Sequence, residues 1–173
     1  MDLELAETSA LVTASSSGLG KASATALARE GANVVVNGRD AGRLADTVAE
    51  LEDVGAGDVV GVEADLTVAA DIERLVERTV EEFGGLDTLV TSAGGPPSGP
   101  FLETTDEDWY EAYDLLVMSV VRTVREAAPH LRESDQGSIT CITSRSVKEA
   151  IDSLVLSNAV RMSVIGLEKT LSQ

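Results

Sequence analysis

Residues 13–20 read Thr-Ala-Ser-Ser-Ser-Gly-Leu-Gly, between a short apolar run and a helical pattern. The chemistry that suits such a turn is phosphate binding. Unpaired backbone N–H groups at a helix N-terminus attract anions, helped by the helix dipole, and glycines let the backbone come close to them. Gly18 is the position for close approach, and Gly20 lets the helix pack on the sheet. The plain alternative is a strand–turn–helix joint with incidental glycines, because a lone glycine pattern is weak evidence. Its place at the head of a long strand–helix series favours a dinucleotide. No carboxylate pair and no His or Cys cluster has metal-ligand spacing, so no metal is expected. Cys141 alternates with Ile139 and Thr143 and is expected in the core. His130, after Pro129, is expected at the surface near a helix C-terminus, which favours it.

The elements that position this turn follow from the apolar periodicity. Residues 9–13 (SALVT) read as a strand and 19–30 as a helix ended by Gly31. Residues 32–37 (ANVVVN) form a second strand, rich in β-branched side chains. A helix over 41–53, a strand over 59–63 and a helix over 68–83, ended by Gly84-Gly85, come next. Residues 86–90 (LDTLV) are the fourth strand, and the loop 94–100 (GGPPSGP) excludes regular structure. A long helix is predicted over about 106–131, opened by a Thr105/Asp108 capping box. Residues 138–143 (SITCIT) are the fifth strand, and a last helix covers about 154–171. This alternation implies a parallel sheet with helices on both faces, a three-layer α/β/α arrangement. Right-handed crossovers give the Rossmann-type doubly wound strand order 3-2-1-4-5. No repeat or linker interrupts residues 1–173, so a single dinucleotide-binding domain is expected.

Thirty acidic residues face thirteen Lys and Arg, a net charge of −17. Phosphate-rich nucleic acid would be repelled, so no nucleic-acid partner is expected. The acids are spread along helical segments. They fit a heavily hydrated, halophilic surface whose self-repulsion is screened at high salt, or else an over-acidic ordinary protein. The apolar runs are too short to cross a bilayer. The opening MDLELAETSA is acidic where a signal peptide would be basic and then apolar. With the single Cys141, this makes a cytoplasmic, reducing location the expectation.

The run TASSSGLG resembles the signature of short-chain dehydrogenases/reductases, T-G-x-x-x-G-[IL]-G. Thr13, Gly18, Leu19 and Gly20 match, and Ala14 replaces the first glycine. Further matches follow in order: Asn37-Gly38-Arg39-Asp40 after the second strand, Asp65-Leu66 after the third, and Thr91-Ser92-Ala93-Gly94 after the fourth. The resemblance covers residues 9–173 and implies cofactor contacts at Thr13, Ser15, Ser17, Gly18, Leu19, Gly20, Arg39, Asp65, Leu66, Ser92, Ala93 and Gly94. An acid at the end of the second strand grips a ribose 2′-hydroxyl, whereas an arginine suits a 2′-phosphate. Arg39 therefore points to NADP(H) over NAD(H); the alternative is a solvated charge at a helix start.

The resemblance also implies a catalytic set of tyrosine, lysine, serine and asparagine. The tyrosine moves a proton on the substrate oxygen, and the lysine tunes it, because a free phenol titrates near pH 10. Ser144 fills the serine position. Ser157 stands where the tyrosine is expected, Arg161 where the lysine is, and Leu116 where the asparagine is. Tyr110 and Tyr113 lie on the long helix and are read as packing residues. A serine hydroxyl is too weak an acid to replace a phenol, and a guanidinium does not shuttle protons. Two readings stay open. One is an NAD(P)(H)-dependent oxidoreductase of the 3-oxoacyl-carrier-protein reductase-like branch, with carbonyl/alcohol hydride transfer rewired through Ser144, Ser157 and water. The other is a nucleotide-binding module without turnover, acting as a regulator or oligomer partner. The family's last strands and substrate-covering loop are expected to be missing, leaving the fifth strand as an open edge. Surplus apolar residues on the last two long helices (Leu115, Val117, Val120 and Val121; Leu156, Val160, Val164 and Leu167) point to a homodimer or homotetramer.

Overall fold

A computed structural model describes residues 3–172. Its strands β1 (Ser9–Val12), β2 (Asn33–Gly38), β3 (Val59–Glu63), β4 (Thr88–Thr91) and β5 (Ser138–Cys141) form one parallel sheet, in the order β3-β2-β1-β4-β5. The order and the parallel sense are those expected from the alternation of strands and helices. Leu11 pairs with Val35 on one side and Leu89 on the other, so β1 is central.

Pleating sends alternate residues to opposite faces, and both faces are covered. Ala10, Val12, Val34 and Val36 pack under α1 (Gly18–Arg29) and α2 (Ala41–Glu52). Leu11, Val35 and Leu89 pack on the other face under α3 (Ala69–Phe83), α4 (Asp106–Tyr113), α5 (Ser119–Glu133), α6 (Val155–Val160) and α7 (Met162–Leu171). β5 is one of the two edge strands and its residues stay largely exposed. Among the described residues, no helix is long and apolar enough to cross a membrane.

Two predicted helices are not continuous. The helix expected over 106–131 contains a π-helical segment at Asp114–Met118, between α4 and α5. The Ser119 hydroxyl donates to the Leu115 carbonyl at 2.5 Å. Arg122 spans the widened turn, pairing with Asp114 at 2.8 Å and donating to the Thr67 carbonyl. Such bulges collect at functional sites. The helix expected over 154–171 breaks at Arg161, where α6 ends and α7 begins. The Thr105/Asp108 capping box is present as predicted.

The apolar residues expected at a dimer interface are used within the chain. Val117, Val120, Leu156, Val160 and Val164 are buried in one core cluster, with Leu115, Val121 and Leu167 packed against it. Tyr110 and Tyr113, expected to pack, are instead exposed, as are Phe101 and Leu102.

Candidate functional site

The C-terminal ends of β1, β2, β4 and β5 open onto a cleft of about 790 Å³, within the usual size of ligand sites. The glycine-rich turn forms its floor. Ala14 adopts φ +46°, a left-handed conformation that costs a non-glycine residue about 1 kcal/mol or more. Its amide donates to Asn37 Oδ1 at 2.9 Å. Gly18 has φ +59° and open space where a Cβ would stand. A Cβ on Gly20 would lie 2.5 Å from the Ala14 carbonyl oxygen, so the helix start fits this closely only with glycine. Ser17, the N-cap of α1, makes no capping bond, and the first turn carries no acid. The first amides of α1 thus meet the cleft without a side-chain acceptor.

Thr13 and Ser15 sit behind the turn and do not line the cleft. The Thr13 hydroxyl donates to the Ser92 carbonyl at 2.7 Å and accepts from the Ser92 amide at 2.8 Å, tying β1 to the end of β4. Ser15 is fully buried, donating to the Val12 carbonyl and accepting from the Asn37 amide. These two hydroxyls, expected at a cofactor, are committed to the chain's own backbone. Asn37 is the hub that composition alone did not reveal. It is buried, and besides receiving the Ala14 amide it donates from Nδ2 to the Ala64 carbonyl at 3.0 Å. Its own carbonyl accepts from the Ser15 and Ser16 amides. The available signal was a polar residue closing an apolar β-branched run.

At the β2 end, Arg39 and Arg43 both line the cleft. The Arg39 side chain is 77% exposed and meets Asp65 at a loose 3.7 Å. Asp65 accepts from the Thr67 amide and hydroxyl, which hold its carboxyl below the usual range, with Arg39 adding to the effect. Leu66, Ser17, Leu19, Ser92, Ala93 and Gly94 complete this part of the lining.

At the β5 end the three residues expected to be catalytic come together, but only one faces the cleft. Ser144 caps a 3₁₀ turn (Arg145–Val147), accepting from the Ser146 amide at 3.1 Å. Ser157 is buried, its hydroxyl 3.2 Å from that of Ser146. Arg161 lines the cleft. Its Nε donates to Ser157 Oγ at 3.2 Å, and its terminal nitrogens donate to the Thr143 carbonyl at 3.5 Å and the Gly94 carbonyl at 3.0 Å. Burial lowers the guanidinium pKa, though the group stays charged. Leu116 is buried; its neighbour Leu115 lines the cleft. Cys141 is half-buried rather than in the core, and burial pushes its thiol up to about 11.

The arrangement fits a dinucleotide. It offers an open glycine turn at a helix start, two arginines beyond β2 and a third cation beyond β5. Arg161 reaches the cleft from the end of α6, its guanidinium bonded to the Gly94 carbonyl beyond β4.

Comparison with known proteins agrees with this geometry. The family model described as short chain dehydrogenase matches residues 8–173. The uncharacterized oxidoreductase YvrD of Bacillus subtilis is 34% identical over 173 residues, covering 100% of this chain and 65% of that protein. Human dehydrogenase/reductase SDR family member 4 is 33% identical over 169 residues, 97% of this chain and 60% of its own length. Among solved structures, L-sorbose reductase from Gluconobacter frateurii, complexed with NADPH and L-sorbose, superposes with a TM-score of 0.94 at 31% identity. That match covers 99% of this chain and 65% of the reductase. The NADH-dependent reductase A1-R′, complexed with NAD, gives a TM-score of 0.91 at 29% identity, covering 99% and 74%. The chain thus spans about two thirds of the length of these relatives, and it belongs to the short-chain dehydrogenase/reductase family of oxidoreductases.

Proposed function

We propose that this chain binds a nicotinamide dinucleotide, NADP(H) in preference to NAD(H), and serves hydride transfer between it and a carbonyl or alcohol. The observation that carries the reading is the cleft itself: an uncapped α1 N-terminus under an open Gly18, flanked by Arg39 and Arg43. Gly18, Leu19 and Ser17 would hold the pyrophosphate through backbone amides. Arg39, loosely paired and mostly exposed, is free to turn onto a 2′-phosphate, with Arg43 beside it. Asp65 and Leu66 would border the adenine, and Ser92, Ala93 and Gly94 the middle of the cofactor. Nicotinamide, when bound, supplies or accepts the hydride. Solved relatives with NADPH and with NAD support a dinucleotide in general, and Arg39 supports the phosphorylated one.

Turnover by these residues is proposed to be slow. Positioned acid catalysis is worth about 10²- to 10⁴-fold, and the position expected to supply it holds Ser157. That hydroxyl is buried and engaged by Ser146 and Arg161, so a relay from the cleft through Ser157 finds no outlet. Ser144 is likewise engaged at its turn and does not line the cleft. The test is oxidation of NADPH over a panel of aldehydes and ketones. We expect a rate near background for the unmodified chain. Ser157→Tyr combined with Arg161→Lys should raise it at least about tenfold, provided the melting temperature shows a folded variant. Brisk turnover by the unmodified chain would show that other groups deliver the proton.

A further inference from the structure

Asn37 is buried near the end of β2, between the turn that follows β1 and the segment that follows β3. Its amide oxygen accepts from the Ala14 N–H at 2.9 Å. Its amide nitrogen donates to the Ala64 carbonyl at 3.0 Å and to the Val62 carbonyl at 3.5 Å. The backbone of the same residue strengthens the link to the turn: its carbonyl accepts from the Ser15 and Ser16 amides, and its N–H donates to Ser15 Oγ. The turn lies tight on the strand end, since a Cβ on Gly38 would stand 2.5 Å from Ser16 Oγ. One side chain thus ties together two walls of the cleft. Ala14 and Ser16 stand on the diphosphate side, and Ala64, Asp65 and Leu66 on the adenine side.

The partners decide which chemistry this position accepts. Towards the turn it meets an N–H and must accept; towards β3 it meets two carbonyls and must donate. A primary amide does both. An apolar side chain would strip the acceptor from Ala14, a residue held at the costly φ of +46°. An ionised carboxylate would keep that bond but turn a negative oxygen onto two carbonyl oxygens in a buried place. We propose that Asn37 is a positioning residue for the dinucleotide: its amide holds the diphosphate turn and the adenine wall at one separation, so cofactor affinity depends on a side chain that donates and accepts at once. The proposal rests on the cleft being the dinucleotide site.

The test is calorimetric titration of NAD+ into the full chain and two variants, near pH 8 and near pH 5.5. NAD+ is chosen for the pH series because it lacks the 2′-phosphate, which itself titrates at about pH 6. Asn37→Asp replaces the donating NH2 by oxygen at nearly constant shape. Near pH 8 it should bind NAD+ at least about tenfold more weakly than the unmodified chain, the effect of losing a buried donor. Burial raises a carboxyl pKa, and a protonated carboxyl again offers one donor and one acceptor. The deficit should therefore shrink to about threefold or less near pH 5.5. Arg39 and Asp65, the charged groups beside it on β2 and beyond β3, pair with each other at 3.7 Å and occur in both proteins, so they cancel at each pH. Asn37→Ser, uncharged and too short to span both walls, should show a similar deficit at both pH values. Near pH 8, NADPH and NADH should lose affinity by equal factors in the variants, because Arg39 is untouched. If the melting curve shows Asn37→Asp unfolded near pH 8, Asn37→Ser decides alone, by a loss of at least about tenfold. Undiminished NAD+ binding by the folded variants, or a deficit of Asn37→Asp that stays constant between the two pH values, would overturn the proposal. So would a loss confined to NADPH, which would place the effect at the 2′-phosphate. Absence of NAD+ and NADPH binding to the unmodified chain would instead sink the dinucleotide reading itself.

Discussion

Ala14 carries a cost that its place in the turn imposes. It stands where the family's signature has glycine, and the chain holds it at φ +46° through the Asn37 side chain. Glycine occupies that region without steric penalty. Ala14→Gly should therefore stabilise the fold by about 1 kcal/mol, raising the melting temperature by roughly 2–4 °C for a domain of this size. A lowered melting temperature would show that the methyl group's partial burial outweighs the backbone strain. Neighbouring residues divide the labour differently than their types suggest. Ser15 and Thr13 look like ligands and act as struts, whereas Asn37 looks like a strand residue and organises the turn.

Asp87, at the start of β4, ties elements together at the opposite end of the sheet. Its Oδ2 accepts from the Ser9 amide at 2.7 Å and the Ser9 hydroxyl at 3.0 Å, and its Oδ1 from the Ser134 hydroxyl at 2.6 Å. Its backbone joins β1 and β5 as well. Burial alone would raise the carboxyl pKa, but the bonds from Ser134 and Ser9 together outweigh it and lower the value from the ordinary 3.8. A depressed folded pKa contributes stability that is present above the unfolded value and is lost as pH falls through the folded one. Asp87→Ala should cost about 2–4 kcal/mol at neutral pH, and the deficit should shrink below about pH 4 in urea titrations. A constant deficit across that range would assign the loss to geometry rather than charge. At this scale most elements were legible in the sequence, because the alternation of Val34, Val35 and Val36 with amphipathic helices admits few arrangements. The π segment at Asp114–Met118 and the break at Arg161 were not. Both are accompanied by side-chain hydrogen bonds that the apolar periodicity does not record, from Ser119 to Leu115 and from Arg161 to Gly94. The site divides the same way. Gly18, Gly20 and Arg39 announce themselves by type and place. Asn37 and Ser146 are satisfied by partners distant in sequence, which no local pattern records.

For the molecule as a whole, a net charge of −17 means self-repulsion that only salt relieves. The Debye length falls from about 30 Å at 0.01 M to about 3 Å at 1 M. The melting temperature should climb as potassium chloride rises toward molar concentrations, and a flat curve would remove the salt-adapted reading. The same charge sharpens the meaning of the cleft, where Arg39, Arg43 and Arg161 stand together in a chain dominated by acids. A phosphorylated dinucleotide in this cleft needs both Arg39 and the open turn to receive it. Calorimetric titration of NADPH and NADH at matched high salt, repeated with Arg39→Asp, tests this most directly. NADPH should bind at least about tenfold more tightly than NADH, the value of one charge-assisted contact, and Arg39→Asp should erase that difference while NADH binding persists. Equal affinity for the two in the unmodified chain, or binding of neither, would contradict it.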